Sequence, residues 1–394
     1  MSRPAIELAG ILRLHGPAYR QAHALPVHQH QLMRAIENCR TAALGGHVEE
    51  CGQCQHTRIS YNSCRNRHCP KCQGKERAQW LDQRKRELLP VEYFHIVFTL
   101  PTQAVAIAYQ NKAVVYDILF RAASETLLTI ARDPKHLGAG IGFFAILHTW
   151  GQNLHHHPHV HCVVSGGGLS ADYDRFVHCR SGFFLPVRVL SRLFRRLFLE
   201  ALQKAFDQHK LRFFSELEPL SQAQCFAAYL KPLQDCEWVV YAKPPFGGPE
   251  AVLAYLSRYT HRVAIGNQRL QSMENGEVTF QWKDYRHHNR TRTMRLAVDE
   301  FIRRFLLHAL PPGFQRIRHY GFLANAHRRH KLALCQKLLA ADPTGLLPTI
   351  SALAVEFLSY ARPEQDSASR CPACRAGVMM RIQVLPRQPR LDSS

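Results

Sequence analysis

The 394-residue sequence lacks any uninterrupted run of about 18–20 apolar residues, which is the length that a membrane-spanning helix requires. Its first residues, MSRPAIELAG, lack the apolar stretch of a secretory signal. Neither terminus shows the pattern of an amphipathic helix that lies on a membrane surface, and no repeat of fixed period is present. These absences predict a cytoplasmic protein without a membrane partner.

Acidic residues are also scarce, since 30 Asp and Glu stand against 51 Lys and Arg, for a formal net charge of +21. A surplus of this size indicates a polyanionic partner, and nucleic acid is the commonest one. Apolar residues at 46% and charged residues at 21% are ordinary for globular proteins, which excludes a wholly disordered chain. We therefore expect a globular DNA-binding protein, associated with the nucleoid, that has no small-molecule substrate.

Cysteine is plentiful, and the thirteen cysteines are an odd number in a chain without a secretory signal, so a disulfide framework is not expected. Eight of the thirteen are concentrated in a few places, which indicates metal binding. These eight are Cys39, Cys51, Cys54, Cys64, Cys69, Cys72, Cys371 and Cys374.

The spacing of four of these cysteines is typical of a zinc site. Cys51-x-x-Cys54 and Cys69-x-x-Cys72 are separated by fourteen residues, and two such pairs can surround one Zn²⁺ tetrahedrally. Because all four positions are then filled by protein, the predicted zinc is structural. The alternative is ordinary buried cysteines, but this segment has few apolar residues that could bury them.

Two further features of the cysteine-rich region leave alternatives open. Cys64 and His68 lie between the two pairs and could replace a ligand or serve a second ion. The pair Cys371-x-x-Cys374 is half of a site whose partners the sequence does not identify. Residues 57–87 carry nine Lys and Arg against three acids, which suits a zinc module that contacts DNA.

The middle of the chain has the pattern of an α+β fold with a central antiparallel sheet. Residues 93–100, 142–150 and 159–165 are rich in β-branched and aromatic residues and are predicted strands. A hairpin is predicted to turn at Asn275-Gly276. Helices are predicted over residues 250–260 and 298–310.

A histidine tract over residues 155–161 leads directly into one of these strands. His159 and His161 are two residues apart, so on a strand both side chains point to the same face. Such a pair is half of a metal site, and His148 on the preceding strand is our first choice for a third ligand. Gln152 is the second choice, while His156 and His157 precede the bend at Pro158. The alternative is a surface tract with loose metal affinity.

Tyr255 and Tyr259 are four residues apart in a predicted helix and therefore share one helix face. Tyrosines at this spacing are more often core or stacking residues than catalytic ones. Arg258, His261 and Arg262 surround them, however, which suits a helix that faces phosphate. A tyrosine hydroxyl with a pKa near 10 needs help to act as a nucleophile, and a metal that polarises the phosphate can supply it.

Taken together, these motifs resemble a known family. A strand with His-Val-His followed about a hundred residues later by a helix with Tyr-x-x-x-Tyr looks like the HUH endonuclease superfamily. With YNSCRNRHCPKCQ ahead of it, the chain resembles insertion-sequence family ninety-one, the rolling-circle transposases with two tyrosines. The likeness extends over most of the chain and includes FHIVFTLP, HTWGQNLHHHPHVHCVVSGGGLS, YLSRYTHRVAI and RIRHYGFLAN.

The resemblance implies cleavage and rejoining of single-stranded DNA at transposon ends and at target DNA, through a 5′-phosphotyrosine and a free 3′-OH. It implies that His159 and His161 bind a divalent metal, Mg²⁺ or Mn²⁺, and that Tyr255 and Tyr259 are the nucleophiles. His148 as third ligand depends on strand geometry. Alternatives are a replication initiator or relaxase with the same chemistry, and a non-catalytic zinc protein that binds DNA.

Three regions are expected from these patterns. Residues 1–90 form a helical and zinc-binding DNA-binding domain, residues 91–300 an HUH nuclease domain, and residues 301–394 a basic C-terminal region. Residues 301–341 contain eight Lys and Arg and no carboxylate. Such a face would contact phosphates, and four nearby aromatic residues could stack on bases or belong to the core. These are Tyr285, Phe314, Tyr320 and Phe322.

Overall fold

A computed structural model describes residues 6–72, 80, 84, 87–243, 251–252, 263–284, 287, 290–342 and 370–388 of the chain. Its α-helices are α1 (Leu8–Ala22), α2 (Val27–Glu37), α3 (Val105–Gln110), α4 (Lys112–Arg132), α5 (Val187–Asp207), α6 (Ala223–Asp235), α7 (Val298–Leu307) and α8 (Arg328–Ala341). Its strands are β1 (Gly46–Cys51), β2 (Thr57–Tyr61), β3 (Tyr93–Thr99), β4 (Gly140–Trp150), β5 (His156–Leu169), β6 (Phe176–His178), β7 (Val240–Lys243), β8 (Leu270–Glu274), β9 (Glu277–Asp284), β10 (Arg290–Ala297), β11 (Ile317–Gly321) and β12 (Met379–Leu385).

A six-stranded antiparallel sheet occupies the middle of the chain, with strand order β11-β4-β5-β3-β7 and with β6 paired to β5. Its three central strands are those that the β-branched and aromatic residues predict, although β5 runs from His156 to Leu169 and is longer than expected. The α+β class with a central antiparallel sheet is confirmed. The described helices lie against this sheet and around it.

The two faces of the central sheet have different partners. One face packs its apolar side chains, among them Phe98, Val160 and Leu147, against α4, α5 and α6 in the largest core cluster. The opposite face contributes Ile146 and Val163 to a smaller cluster with α8. Val160 lies between His159 and His161 in the sequence and is fully buried, so the two histidines point away from the larger core, as strand alternation predicts.

The N-terminal helices belong to a third cluster, which they share with α7 and with the sheet β10-β9-β8. The Leu8 amide donates to Oδ1 of Asn267 at 3.1 Å, and Nε2 of Gln29 donates to the Leu306 carbonyl at 3.3 Å. The predicted hairpin turn is present: Asn275 and Gly276 have φ of 52° and 75°, the left-handed values that an Asn-Gly hairpin turn requires.

A separate three-stranded sheet has the order β12-β1-β2, and we call it the ribbon sheet. Strand β1 is its central strand and pairs antiparallel with β2, its neighbour in sequence, and with β12 from the other end of the chain. Only Cys51, Cys371 and Met379 form its buried cluster. The ribbon sheet therefore has almost no apolar core.

Contacts cross both boundaries of the predicted three-part division. Strand β11, from the third region, is an edge strand of the central sheet, and β12 pairs with β1 of the first region. The boundaries themselves, 1–90, 91–300 and 301–394, stay a prediction. Within the residues that the structure describes, no helix has both the length and the apolar character needed to cross a membrane.

Two buried histidines connect the sheet to the helices. His308, directly after α7, donates from Nε2 to the Leu154 carbonyl at 3.1 Å, while its Nδ1 lies 3.3 Å from the Thr149 hydroxyl. Nε2 of His156 lies 2.7 Å from the Tyr116 hydroxyl on α4. Burial lowers the pKa of each imidazole to about 3, so both are neutral at physiological pH.

These depressed pKa values predict that stability falls as the pH falls. An unfolded histidine binds a proton below pH about 6.5, whereas folded His308 and His156 stay neutral until pH about 3. Acid therefore favours the unfolded state, and by pH 5 each residue has lost about 2 kcal/mol of its contribution to folding. Urea unfolding between pH 7.5 and pH 5 should show this as a falling free energy of unfolding.

The variant His308→Gln isolates one of these contributions. It should be less stable at pH 7.5, and below pH about 6 the pH dependence of its unfolding free energy should be shallower by up to about 1.4 kcal/mol per pH unit, the amount for one proton. His136→Gln, at an exposed position, is the matched control and should keep the slope of the wild type. An unchanged slope in His308→Gln would contradict the assignment.

Candidate functional site

An irregularity in strand pairing lies next to the histidine tract. His148 on β4 pairs with His159 on β5, but Trp150, two residues further, pairs with His156, three residues back. The extra residue makes a β-bulge at Pro158, which has no N–H to donate to the sheet. Beyond the bulge, β5 pairs regularly with β3, and it pairs regularly with β4 as far as Val164, where a second register shift follows.

This register brings His148, His159 and His161 together on one face of the sheet, and we call them the histidine site. One ligand nitrogen of each residue lies within 4.8 Å of those of the other two. The ring centroid of His161 is 4.4 Å from that of His148 and 4.8 Å from that of His159. His148 stacks on Trp150 with ring centroids 4.9 Å apart, which fixes the plane of its imidazole. The arrangement is one that can hold a divalent metal ion.

Hydrogen bonds orient two of the three imidazoles. Nδ1 of His159 donates to the His157 carbonyl at 2.7 Å, so its Nε2 carries the lone pair that a metal would take. Nδ1 of His161 is 2.7 Å from Nε2 of His95 on β3. Coordination by His161 would use Nε2 and place the proton on Nδ1, where it donates to His95. Partners of this kind are typical of the shell around metal ligands.

The local electrostatics keep these imidazoles neutral. Burial lowers the pKa of His159 to about 4 and that of His95 to about 3, and it holds the pKa of His161 well below its usual range. Lys243, paired with His95 across β3 and β7, places a positive charge nearby and lowers the pKa of His95 and His161 further. Neutral imidazoles are the form that binds a metal.

His95 was not among the residues that the sequence singled out. It lies in FHIVF, an apolar strand pattern in which a single histidine gives no signal of a site. The pairing of β3 with β5 is what brings His95 next to His161. The other candidates for a third ligand are not in the group, although the ring centroid of His157 is 5.2 Å from that of His159. His156 is bonded to Tyr116, His157 is exposed, and the backbone carbonyl of Gln152 accepts a hydrogen bond from Arg269.

Tyr255 and Tyr259 lie outside the described residues. The described residues on either side of them are placed near the histidine site. Val252 is buried in the same cluster as Ile146 and Val163, which flank the histidines on β4 and β5. At the other end, Ala264 and Ile265 are buried in the cluster that contains Trp150, whose ring stacks on His148.

The four cysteines predicted to share one zinc do not come together. The structure places Cys69 and Cys72 with two other cysteines in a first cysteine cluster, and Cys51 and Cys54 with two from the C-terminal region in a second. The first cluster is Cys39, Cys64, Cys69 and Cys72; the second is Cys51, Cys54, Cys371 and Cys374. The grouping taken from the fourteen-residue spacing is corrected accordingly, because the ribbon sheet directs Cys51 and Cys54 away from the following pair.

In the first cysteine cluster, Sγ of Cys72 lies 3.5 Å from Sγ of Cys39 and of Cys64, and Sγ of Cys69 lies 3.6 Å from that of Cys39. A tetrahedral zinc with Zn–S bonds of about 2.3 Å separates its sulfurs by about 3.8 Å, so the arrangement fits structural Zn²⁺. Cys39 directly follows helix α2. Cys64 belongs to the same cluster, which favours the alternative that Cys64 is a zinc ligand. His68 is not in the cluster; its Nε2 faces the Leu310 amide at 3.4 Å.

The basic run over residues 301–341 has fewer unpaired cations than its composition indicates. Arg303 and Arg304 pair with Glu300, Arg318 pairs with Asp117, and Arg328 pairs with Glu87, so three carboxylates from outside the run form ion pairs with four of its eight cations.

Three of the four aromatic residues considered for base stacking belong to the protein interior instead. Tyr320 stacks on Phe143 with ring centroids 5.1 Å apart, and Phe322 is buried. Phe314 packs edge-on against Tyr116, with ring centroids 5.8 Å apart. The fourth residue, Tyr285, lies outside the described residues. A base-stacking role is therefore not supported for the three that are described.

Two models of known protein families match the chain over the histidine site and over the first cysteine cluster. A family model described as "Putative transposase" matches residues 142–331, which include the histidine site, and one described as "Transposase zinc-binding domain" matches residues 11–100. The second match spans the whole of the first cysteine cluster. No solved structure is significantly similar to this chain.

Two relatives extend the similarity, one of them to nearly the full length. The chain is 59% identical over 386 residues to "Putative transposase y4qJ" of Sinorhizobium fredii, covering 98% of this chain and 96% of that protein. It is 28% identical over 293 residues to the transposase for insertion sequence element IS801 of Pseudomonas savastanoi pv. phaseolicola, covering 73% of this chain and 68% of that protein. The chain therefore belongs to the transposases of insertion-sequence family ninety-one.

Proposed function

We propose that this transposase cuts and rejoins single-stranded DNA at transposon ends by metal-assisted attack of Tyr255 and Tyr259, and so drives rolling-circle transposition. The observation that supports this most is the histidine site, in which three imidazoles from two paired strands converge on one face of the sheet. A purely structural histidine cluster would not need hydrogen bonds that leave coordinating nitrogens directed at a common point.

The placement of the flanking chain supports the two tyrosines as nucleophiles. Only ten residues, 253–262, separate Val252 from residues that are described again. Val252 packs beside the sheet residues that flank the histidines, and Ala264 packs in the cluster of Trp150. Val252 and Ala264 thus belong to clusters that also contain residues of β4, the strand that carries His148.

In the proposed reaction the tyrosine Oη attacks the scissile phosphorus and loses its proton. The new Oη–P bond forms as the P–O3′ bond breaks, which leaves a 5′-phosphotyrosine and a 3′-oxygen that takes up a proton to become a 3′-OH. A bound divalent ion would supply charge stabilisation at the non-bridging oxygens. Lys243, close enough to lower the pKa of His161, adds a fixed positive charge beside the phosphate. Two tyrosines allow cleavage and strand transfer to alternate.

The ligand chemistry favours Mn²⁺ over Mg²⁺. The histidine site offers three imidazole nitrogens, and among the described residues no carboxylate joins the group. Mg²⁺ takes oxygen ligands almost exclusively, whereas transition-metal ions accept imidazole. We therefore expect the site to bind Mn²⁺ more tightly than Mg²⁺ and to leave its remaining coordination positions to water and to phosphate oxygens.

Metal binding at the histidine site can be measured on the zinc-loaded full chain, with free Mn²⁺ followed by electron paramagnetic resonance. His159→Ala and His161→Ala should each abolish the Mn²⁺ site. His155→Ala, an exposed histidine of the same tract, is the matched control and should bind as the wild type does. Unchanged Mn²⁺ affinity in both ligand variants would contradict the assignment of the site.

His95 can be tested as a positioning residue in the same experiment. Loss of the hydrogen bond to His161 in His95→Phe should weaken Mn²⁺ binding about 10–100-fold, which is the usual effect of removing such a partner. His95→Gln retains an acceptor for Nδ1–H of His161 and should recover part of that loss. If His95→Phe and His95→Gln bind Mn²⁺ with the same affinity as each other, His95 has only a packing role.

Cleavage itself is tested with labelled single-stranded oligonucleotides from the element's own ends, incubated with Mn²⁺ and analysed on a denaturing gel. Wild type should give a covalent protein–DNA band that survives detergent, and the double variant Tyr255→Phe/Tyr259→Phe should give none. The single variants should rank the two nucleophiles. Tyr173→Phe, at an exposed tyrosine, is the matched control.

Three results would contradict parts of this proposal. Zinc-loaded wild type that binds verified end oligonucleotides but forms no covalent band would favour a protein that binds DNA without cutting it. A band that persists in the double variant would place the nucleophile elsewhere. Double-stranded ends as substrates test the preference for single strands, since cleavage of both at equal rates would contradict it.

A further inference from the structure

The second cysteine cluster joins residues from opposite ends of the chain. Sγ of Cys51 lies 3.7 Å from Sγ of Cys374, and Sγ of Cys54 lies 3.5 Å from Sγ of Cys371. All four sulfurs are within 4.8 Å of one another. These separations exceed the S–S bond length of about 2.0 Å, so they do not describe disulfides. They are close to the 3.8 Å or so that separates sulfurs around a tetrahedral zinc.

The N-terminal half of this cluster is a tight turn at the end of β1. The Cys51 amide donates to the His56 carbonyl at 2.9 Å, and the Gln55 amide donates to the Cys51 carbonyl at 3.1 Å. The Gln53 amide points at Sγ of Cys51, 3.4 Å away. Gln55, directly after the second cysteine, has a left-handed φ of 59°.

The C-terminal half has the same contacts, with a closing hydrogen bond that spans one residue more. The Cys371 amide donates to the Gly377 carbonyl at 2.8 Å, and the Arg375 amide donates to the Cys371 carbonyl at 2.9 Å. The Ala373 amide points at Sγ of Cys371, 3.4 Å away, and Arg375 has a left-handed φ of 60°. Two turns of one design thus face each other and direct four sulfurs to one point. Amides aimed at sulfur stabilise thiolates, which are the form that zinc binds.

The surroundings of the cluster do not explain these contacts by hydrophobic packing. The ribbon sheet buries only Cys51, Cys371 and Met379, while several of its large apolar side chains are exposed, including Ile59, Ile382 and Val384. A sheet this small with so little buried surface needs another source of stability, such as a structural metal.

We propose that Cys51, Cys54, Cys371 and Cys374 bind a second structural Zn²⁺ that fastens β12 onto β1 and so holds both ends of the chain in one ribbon sheet. The matched zinc-binding segment, residues 11–100, contains only two of these four ligands. The strand that the zinc fastens belongs to residues 370–388, which carry four arginines and no carboxylate, so it also adds positive charge to the N-terminal region.

Zinc stoichiometry tests the site on the purified full chain by inductively coupled plasma mass spectrometry. A His159→Ala background keeps zinc out of the histidine site. We expect two zinc ions per chain in this background, and one after addition of Cys51→Ser or Cys371→Ser. The double change Cys51→Ser/Cys371→Ser should still retain one, because both residues serve the same ion. Cys225→Ser, outside both clusters, is the matched control and should retain two.

Variants that combine a change in each cysteine cluster distinguish the grouping in the structure from the one that sequence spacing predicts. Cys69→Ser should remove one zinc, and Cys69→Ser/Cys371→Ser should remove both. If Cys51 and Cys69 instead shared an ion, their double variant would lose one zinc and Cys371→Ser would lose none. That result, or a single zinc per chain before any cysteine is changed, would overturn the proposal.

A second measurement remains decisive if a cysteine variant folds poorly. Exposed Cys374 should resist iodoacetamide in the zinc-loaded chain because its thiolate is bound to metal. Cys54→Ser should make Cys374 reactive and leave Cys69 protected, as peptide mass spectrometry would show, and that protection also reports that the first cysteine cluster is intact. Rapid alkylation of Cys374 in the zinc-loaded wild-type chain would exclude the second zinc.

Discussion

The alignment of three antiparallel strands is the constraint on which the rest of the candidate site depends. Side chains on a strand alternate between faces, so a shift of β5 by one residue would move His159 and His161 into the larger core and Val160 to the opposite face. The buried Val160 resists that shift because it would lose its apolar contacts. Packing on one face of the sheet thereby fixes the positions of the candidate ligands on the other.

The bulge at Pro158 separates histidines of one strand that have different contacts. Before the bulge, His156 turns toward helix α4 and bonds to Tyr116, so it contributes to stability. After it, His159 and His161 face the site, and the carbonyl of His157 orients the ring of His159. The tract looks uniform in sequence, but Pro158 divides it into a part that packs against helix α4 and a part that contributes to the histidine site.

Local patterns in the sequence predicted the parts of the fold that depend on near neighbours. Strands β3, β4 and β5, the Asn275-Gly276 hairpin and the choice of His148 all follow from alternation and from short connections. The role of His95 needed the pairing of β3 with β5, which no local pattern encodes. The cysteine grouping failed for the same reason, since Cys371 and Cys374 are more than three hundred residues from their partners. Composition likewise overestimated the free charge of the basic run, because two of the three carboxylates that pair with its arginines, Asp117 and Glu87, come from distant segments.

The ribbon sheet has a consequence for the order in which the molecule is made. Strand β1 leaves the ribosome early, yet β12, which covers one of its edges, is synthesised almost last. Until then β1 exposes unpaired backbone groups on that edge, and such edges readily pair with other chains. Contacts between residues so far apart in sequence also form slowly. A chain that stops before β12 cannot close the ribbon sheet, so the pairing of β12 with β1 gives this transposase a structural check that synthesis has passed β12.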